Sequence, residues 1–272
     1  LVQPCVQHLV NTELACGMGS VANGNNTTAI GKNSQATKVD STASGANSNA
    51  GWDGSTATGA SSQATNVKST ATGSYSKASG NNSTATGGSS KAEGAGSTAT
   101  GVSSNAEGNS STATGASSTA NKTNSTATGY NSLATGENST SIGAYSEASA
   151  LDSIAIGKSS LATGVNSVAI GVGSNDGGND NVVSIGTVGN ERKIINVKDA
   201  TLSSGSTDAV TGKQLYATNQ SIASAQGTAA AALNAAGAAQ STANTALTAA
   251  NAAQLTADGA VQLGQQNAVQ IQ

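Results

Sequence analysis

The sequence has no Phe, one Pro, one Trp, one Met and one His among 272 residues. Without large apolar side chains a chain this long cannot build an ordinary globular core. It must instead be disordered, or a thin repetitive body that buries small residues between neighbours. Charged residues make up only 9%, which argues against a charge-rich disordered tail. A net charge of −3 leaves no basic footprint for nucleic acid. No run reaches the length of a transmembrane helix, and no secretion signal is visible. Because the sequence starts at Leu1, it is expected to be processed or a fragment. Cys5 and Cys16 are the only cysteines; a disulfide and two free thiols both fit them.

Catalysis is not expected. Ser is abundant, but no base accompanies it to form a triad. His8 stands without a second His or an acidic cluster, so no metal or cofactor is expected. "NDGGND" at Asn175 to Asp180 hints at calcium, but a single copy without a nine-residue spacing reads better as an insertion at a corner.

What the sequence does contain is a period. "STATG" begins at Ser55, Ser69, Ser83, Ser97, Ser111 and Ser125, and glycines fall every fourteen residues from Gly31 to Gly171. "VVSIG", ending at Gly186, arrives one residue late. Within each unit Ser and Ala alternate in two short segments, which is the strand period. Between them lie residues that tolerate positive φ: Asn26, Asp40, Gly54 and Asn82 at one corner, Gly80, Gly94, Gly108, Gly136 and Gly164 at the other. The pattern predicts a β-solenoid with two strands per coil, stacked about 4.8 Å apart. Ser, Ala and Gly should line its interior. The middle residue of the second strand (Gln35, Lys77, Lys91, Leu161) should face water. The outer face of the first strand carries Thr pairs and then aliphatics: Ile154 with Ile156, Val168 with Ile170. Such a ladder is rarely left in water, so further copies of the chain should cover it. Trp52, Tyr75, Tyr130 and Tyr145 fall at or near corners, where they could serve a binding surface.

"NSVAIG" at Asn166 to Gly171, followed by Ser174, resembles the head repeat of YadA-like trimeric autotransporter adhesins. "ERKIINVKDA" (191–200) and "STDAVTGKQLY" (206–216) resemble that family's neck. The resemblance spans about residues 20 to 220. It implies an all-β head, a left-handed parallel β-roll of 14-residue coils in a homotrimer, followed by a neck and an α-helical parallel coiled coil. The expected organisation is an irregular N-terminal cap over 1–21, the roll over 22–190, the neck over 191–216 and an Ala-rich stalk over 217–272.

The resemblance also implies display on a bacterial outer membrane, with any membrane contact made through an anchor, a C-terminal barrel, beyond Gln272. The implied partners are matrix ligands such as collagen, fibronectin or laminin. Carried over residue by residue, the family's collagen-associated motif points to Asn166, Ser167, Val168, Ala169, Ile170, Gly171 and Ser174, although most of these should be building the coil. The trimer axis should be lined by Ile30, Thr86, Thr100, Ile142, Ile154, Ile156, Val168 and Ile170. Thr stands in most coils where the family has Val and Ile. In the neck, Ile194, Ile195 and Val197 should form a short strand, Asp208 should cap a helix starting at Ala209, and Val210 and Leu215 should pack. Ala recurs by sevens from Ala229 to Ala257, with Leu233, Gln240, Leu247, Gln254 and Val261 four residues after each, a heptad seam. A reading from another class treats the Thr-x-Thr array as an exposed ice-binding surface.

Overall fold

A computed structural model describes residues 5–8 and 12–270. It forms two compact units, Leu1–Lys193 and Ile194–Gln272. The first is a parallel solenoid. Among the described residues, a 14-stranded sheet is built almost wholly of three-residue strands and an 11-stranded sheet of two-residue strands. The coils stack in the register of the sequence period, with Thr70 opposite Thr84, Ala71 opposite Ala85 and Thr72 opposite Thr86, until the last step, where Val168 lies opposite Val183.

The buried residues explain the repeat. Ala57, Ala71, Ala85 and Ala99 of the first strands and Ala64, Ala78 and Ala92 of the second are completely buried. So are the serines that precede them, such as Ser55 and Ser62. A buried hydroxyl is costly unless it is bonded. Here most of these serines close their own corner: Ser62 Oγ donates to the Gly59 carbonyl at 2.9 Å, and Ser55 Oγ to the Trp52 carbonyl at 2.6 Å. Ser thus staples the turn while its Cβ fills the interior. Two of these hydroxyls, on Ser97 and Ser111, find no partner.

Three corner columns behave differently. Asn26, Asp40, Lys68, Asn82 and Asn124 all have φ between 52° and 58°, as the sequence suggested for that corner. Gly31, Gly101 and their equivalents also lie at positive φ, but they do not line the interior. Their backbones stack on one another, so a Cβ on Gly101 would meet the Gly115 carbonyl group at 2.7 Å. The Gly80 column corrects the expectation of positive φ. Gly80, Gly94, Gly108, Gly136 and Gly164 are absent from the left-handed region. They are small because the next coil comes too close: a Cβ on Gly94 would sit 1.9 Å from the Gly108 oxygen.

The stretch expected to be irregular, 1–21, lies partly outside the described residues, but it contains regular structure. Glu13–Cys16 pairs in parallel with the first coil, and Val6–His8 folds back antiparallel upon it. Cys5 and Cys16 are joined in a disulfide, with 4.2 Å between their Cα atoms.

In the second unit the expected neck strand is absent. Ile194, Ile195 and Val197 form no ladder, and Ile194 and Ile195 are 70% and 73% exposed. A strand needs a neighbour to bond to, and this single chain presents none there. Asp208 is not the helix cap either. The helix runs from Gly212 to Gln270. It is capped by Thr211, whose Oγ1 receives the Gln214 amide at 3.3 Å while Gln214 Oε1 receives the Thr211 amide at 3.2 Å. This reciprocal capping box outcompetes the carboxylate, and Asp208 Oδ2 instead accepts the Thr201 amide at 3.0 Å. Gly227, Gly237, Gly259 and Gly264 do not interrupt the helix, which is about 90 Å long at ~1.5 Å per residue.

Candidate functional site

The first-strand face is the most extended chemical feature of the solenoid. Its two outward columns are unequal. Thr28, Thr56, Ile154 and Val168 are half-buried, whereas Ile30, Thr58, Thr86, Thr100, Ile142, Ile156 and Ile170 are exposed. Ile142, Ile156 and Ile170 stack in direct register and keep 40%, 38% and 43% of their surface in solvent. Within the single chain, Thr86 and Thr100 make no side-chain hydrogen bond, so no Thr–Thr hydroxyl ladder forms along the face among the described residues.

The segment 166–174 belongs to the last regular coil, and most of its groups are tied into that coil. Asn166 adopts φ 54° and donates to Asn181 Oδ1 at 2.9 Å. Ser167 is buried and donates to the Gly164 carbonyl and to Asp176. Ala169 is fully buried between Ala155 and Ser184. Gly171 holds φ 109°, and a Cβ there would come within 3.0 Å of Arg192 Nη1. Ser174 Oγ donates to the Ile170 carbonyl at 2.6 Å.

Two residues central to this end of the head lie in stretches the sequence marked, the 175–180 corner insertion and the 191–200 neck motif, but neither was singled out. Asp176 sits in the one-residue insertion that delays "VVSIG", and it is only 4% exposed. Its Oδ2 accepts the amides of Thr163 and Gly164, both at 2.8 Å, and the hydroxyl of Ser167. Its Oδ1 accepts the Gly178 amide at 3.0 Å and Thr163 Oγ1 at 3.2 Å. Burial pushes this carboxyl up, but the bonds from Ser167, Gly164, Gly178 and Thr163 outweigh it and hold its pKa at about 2. The carboxylate is saturated by protein donors. Among the described residues no group of three or more His, Cys, Asp or Glu side chains could hold a metal ion. The second residue is Arg192, the sole arginine. Its guanidinium donates to Ser174 Oγ at 2.8 Å, to the Ile185 carbonyl at 2.6 Å and to the Val172 carbonyl. A planar fork suits three acceptors left at the end of a coil stack. The period slip at 171–186 marks where to look for Asp176; Arg192 lies in the neck-like stretch 191–200, but nothing there assigns it to closing the last coil.

In the second unit Ile194, Val197 and Val210 line one shallow hollow, together with Gly212. Leu215 and Ile195 lie outside it and are exposed. Asp199 receives Lys213 Nζ at 2.7 Å and Thr211 Oγ1 at 2.9 Å, and both bonds lower its pKa. Every seam residue named in the heptads is exposed, including Leu233 and Leu247. Among the described residues no helix is long and apolar enough to cross a membrane.

Comparison with known proteins gives three results. The YadA head domain repeat, a two-copy unit, matches in overlapping windows from residue 17 to residue 174. The coiled stalk of trimeric autotransporter adhesin matches residues 193–260. Among solved structures, the collagen-binding domain of the Yersinia adhesin YadA is similar at 29% identity and a TM-score of 0.38, covering 72% of this chain and 84% of that one. No curated protein matches the chain.

Proposed function

The chain belongs to the YadA-like trimeric autotransporter adhesins, and we propose that three copies form a rod on a bacterial outer surface that holds repetitive matrix polymers through many weak contacts. The observation that carries this reading is the register-stacked Thr and Ile face. Ile142, Ile156 and Ile170 keep about two-fifths of their surface in water, so covering that part would contribute roughly 0.6–1.2 kcal/mol each. Three identical faces around one axis would bury them without creating an open edge. The remaining surface then repeats about every 4.8 Å, which suits a ligand that repeats as well. Avidity across coils and chains can multiply a weak affinity by roughly 10²–10⁴. Collagen is favoured over fibronectin and laminin, because its fibril is the most regular of the three.

In this reading residues 166–174 act mainly by shaping the last coil. Ala169, Ser167 and Ser174 are buried, so substituting them acts through packing. Asn166 is the exception that separates the readings, since its side chain is exposed. Asn166→Ala should leave collagen binding intact. Lost binding at an unchanged melting temperature would make the segment a direct contact instead.

Two measurements test the proposal as a whole. Sedimentation equilibrium should give a trimer, and a monomer at micromolar concentration would overturn the face assignment. Solid-phase assays should show collagen binding by the trimer, and binding to none of collagen, fibronectin and laminin would overturn the ligand class.

A further inference from the structure

Three of the four tyrosines, Tyr75, Tyr130 and Tyr145, occur at one corner of the solenoid, the turn that leaves the first strand. None fills the interior; they are 67%, 54% and 50% exposed. Tyr75 and Tyr145 adopt φ of 58° and 59°, in a column otherwise occupied by Asn, Ser or Gly. A bulky residue is disfavoured there by roughly 1–2 kcal/mol; Tyr145 packs on the ring of Tyr130, whereas among the described residues Tyr75 has no such ring contact.

In the coils between Tyr75 and Tyr130 lies a groove of about 420 Å³, lined by residues 89 to 119 and not by the rings themselves. Ser89, Ser103 and Ser117 continue the column that starts with Tyr75, and Lys91, Asn105 and Thr119 form the other wall. The backbone ladder along the corner is continuous, from Tyr75 through Ser89, Ser103 and Ser117 to Asn131 and Tyr145. Tyr75 and the coil of Tyr130 are therefore four steps apart, about 19 Å. Tyr130 and Tyr145 form an edge-to-face pair with centroids 5.2 Å apart, and a hydrogen bond to Tyr130 raises the Tyr145 phenol. Asn105 donates Nδ2 to Glu107 at 2.8 Å, which fixes its amide, and its buried Oδ1 has no donor. Lys77 is held by Glu93 at 2.9 Å, whereas Lys91 makes no ion pair among the described residues.

From this arrangement we infer that the tyrosine corner and the groove it brackets bind a linear glycan, separately from any matrix-protein contact. Aromatic faces at both ends suit the apolar C–H faces of sugar rings. The hydroxyls, the amide and the free ammonium between them suit sugar hydroxyls and an occasional uronate.

The test uses the full chain with two probes, hyaluronan hexasaccharide and neutral cellohexaose, measured by calorimetry. At least one should bind, and Tyr75→Asn and Tyr145→Asn should each weaken it by about tenfold. Because Asn accepts left-handed backbone more readily, neither variant should lower the melting temperature. Stability kept or raised while affinity falls separates a binding role from a structural one. Collagen binding, assayed in parallel, should be unchanged. Failure of both glycans to bind would overturn the inference. So would unchanged glycan affinity in the Tyr75→Asn/Tyr145→Asn double variant, or collagen affinity lost along with glycan affinity. Collagen binding that fails in the parent chain bears on the adhesion proposal alone.

Discussion

Alanine is abundant in both units, yet it does opposite work in them. In the solenoid, Ala57, Ala71, Ala85 and their equivalents are wholly buried inside one chain. In the helix from Gly212 to Gln270 no residue is buried at all. A coil of fourteen residues makes an interior by itself, because serine staples and backbone ladders close it around a methyl group. A lone helix has no interior, and its stability must come from neighbours. The same substitution should therefore have opposite effects in the two units, and that contrast can be measured.

Gly101→Ala should be the most damaging change. It combines positive φ with a backbone atom of the next coil 2.7 Å from the new Cβ, and a loss of at least about 3 kcal/mol in head stability is expected. The matched Gly237→Ala has nothing within 4 Å and should stabilise the helix by about 1 kcal/mol. Chemical denaturation read separately for head and stalk checks both signs. Ala99→Leu against Ala236→Leu sharpens the contrast. The first overfills a site with no free surface and should cost about 1–3 kcal/mol, whereas the second adds apolar area to the expected seam and should raise the stalk's melting temperature.

Acid should act on the head through Asp176. Its carboxyl sits at about 2 when folded and near 4 when unfolded. The folded value is the lower one, so the contribution is complete above about pH 4 and lost as pH falls toward 2. It amounts to about 2.5 kcal/mol. Asp176→Asn should flatten that part of the stability profile, and an unchanged slope would contradict the role assigned to it. The smallest effect expected is from Thr86→Ile with Thr100→Ile. If sister chains cover those positions, the melting temperature should rise by about 2–4 °C per kcal/mol gained. An unchanged or lower midpoint with the trimer intact would argue against the axis placement.

Much of the solenoid was legible because it is written many times over. Spacing Ser and Ala by two fixes which side chains point inward, and repetition by fourteen fixes the register, which is why the Thr70–Thr84 pairing could be expected. Features that occur once were harder. Asp176 and Arg192 each act at the end of the array, where no second copy supplies a pattern. The Gly80 column was misread because glycine has two uses, unusual φ and close approach, and composition alone does not separate them. The neck strand and the Asp208 cap failed for local reasons. Isolated aliphatics do not form a strand without a partner, and Thr211 with Gln214 offers the helix two bonds where Asp208 offers one.

Since each coil touches only the coils before and after it, the number of coils is not fixed by the fold. Whole fourteen-residue units can be gained or lost in the gene, and the joint heals in register while the disulfide-closed hairpin and the Arg192 fork stay at their ends. The reach of the head is thus a heritable setting, adjustable in steps of one strand spacing, and a population could explore it faster than it could explore any new surface.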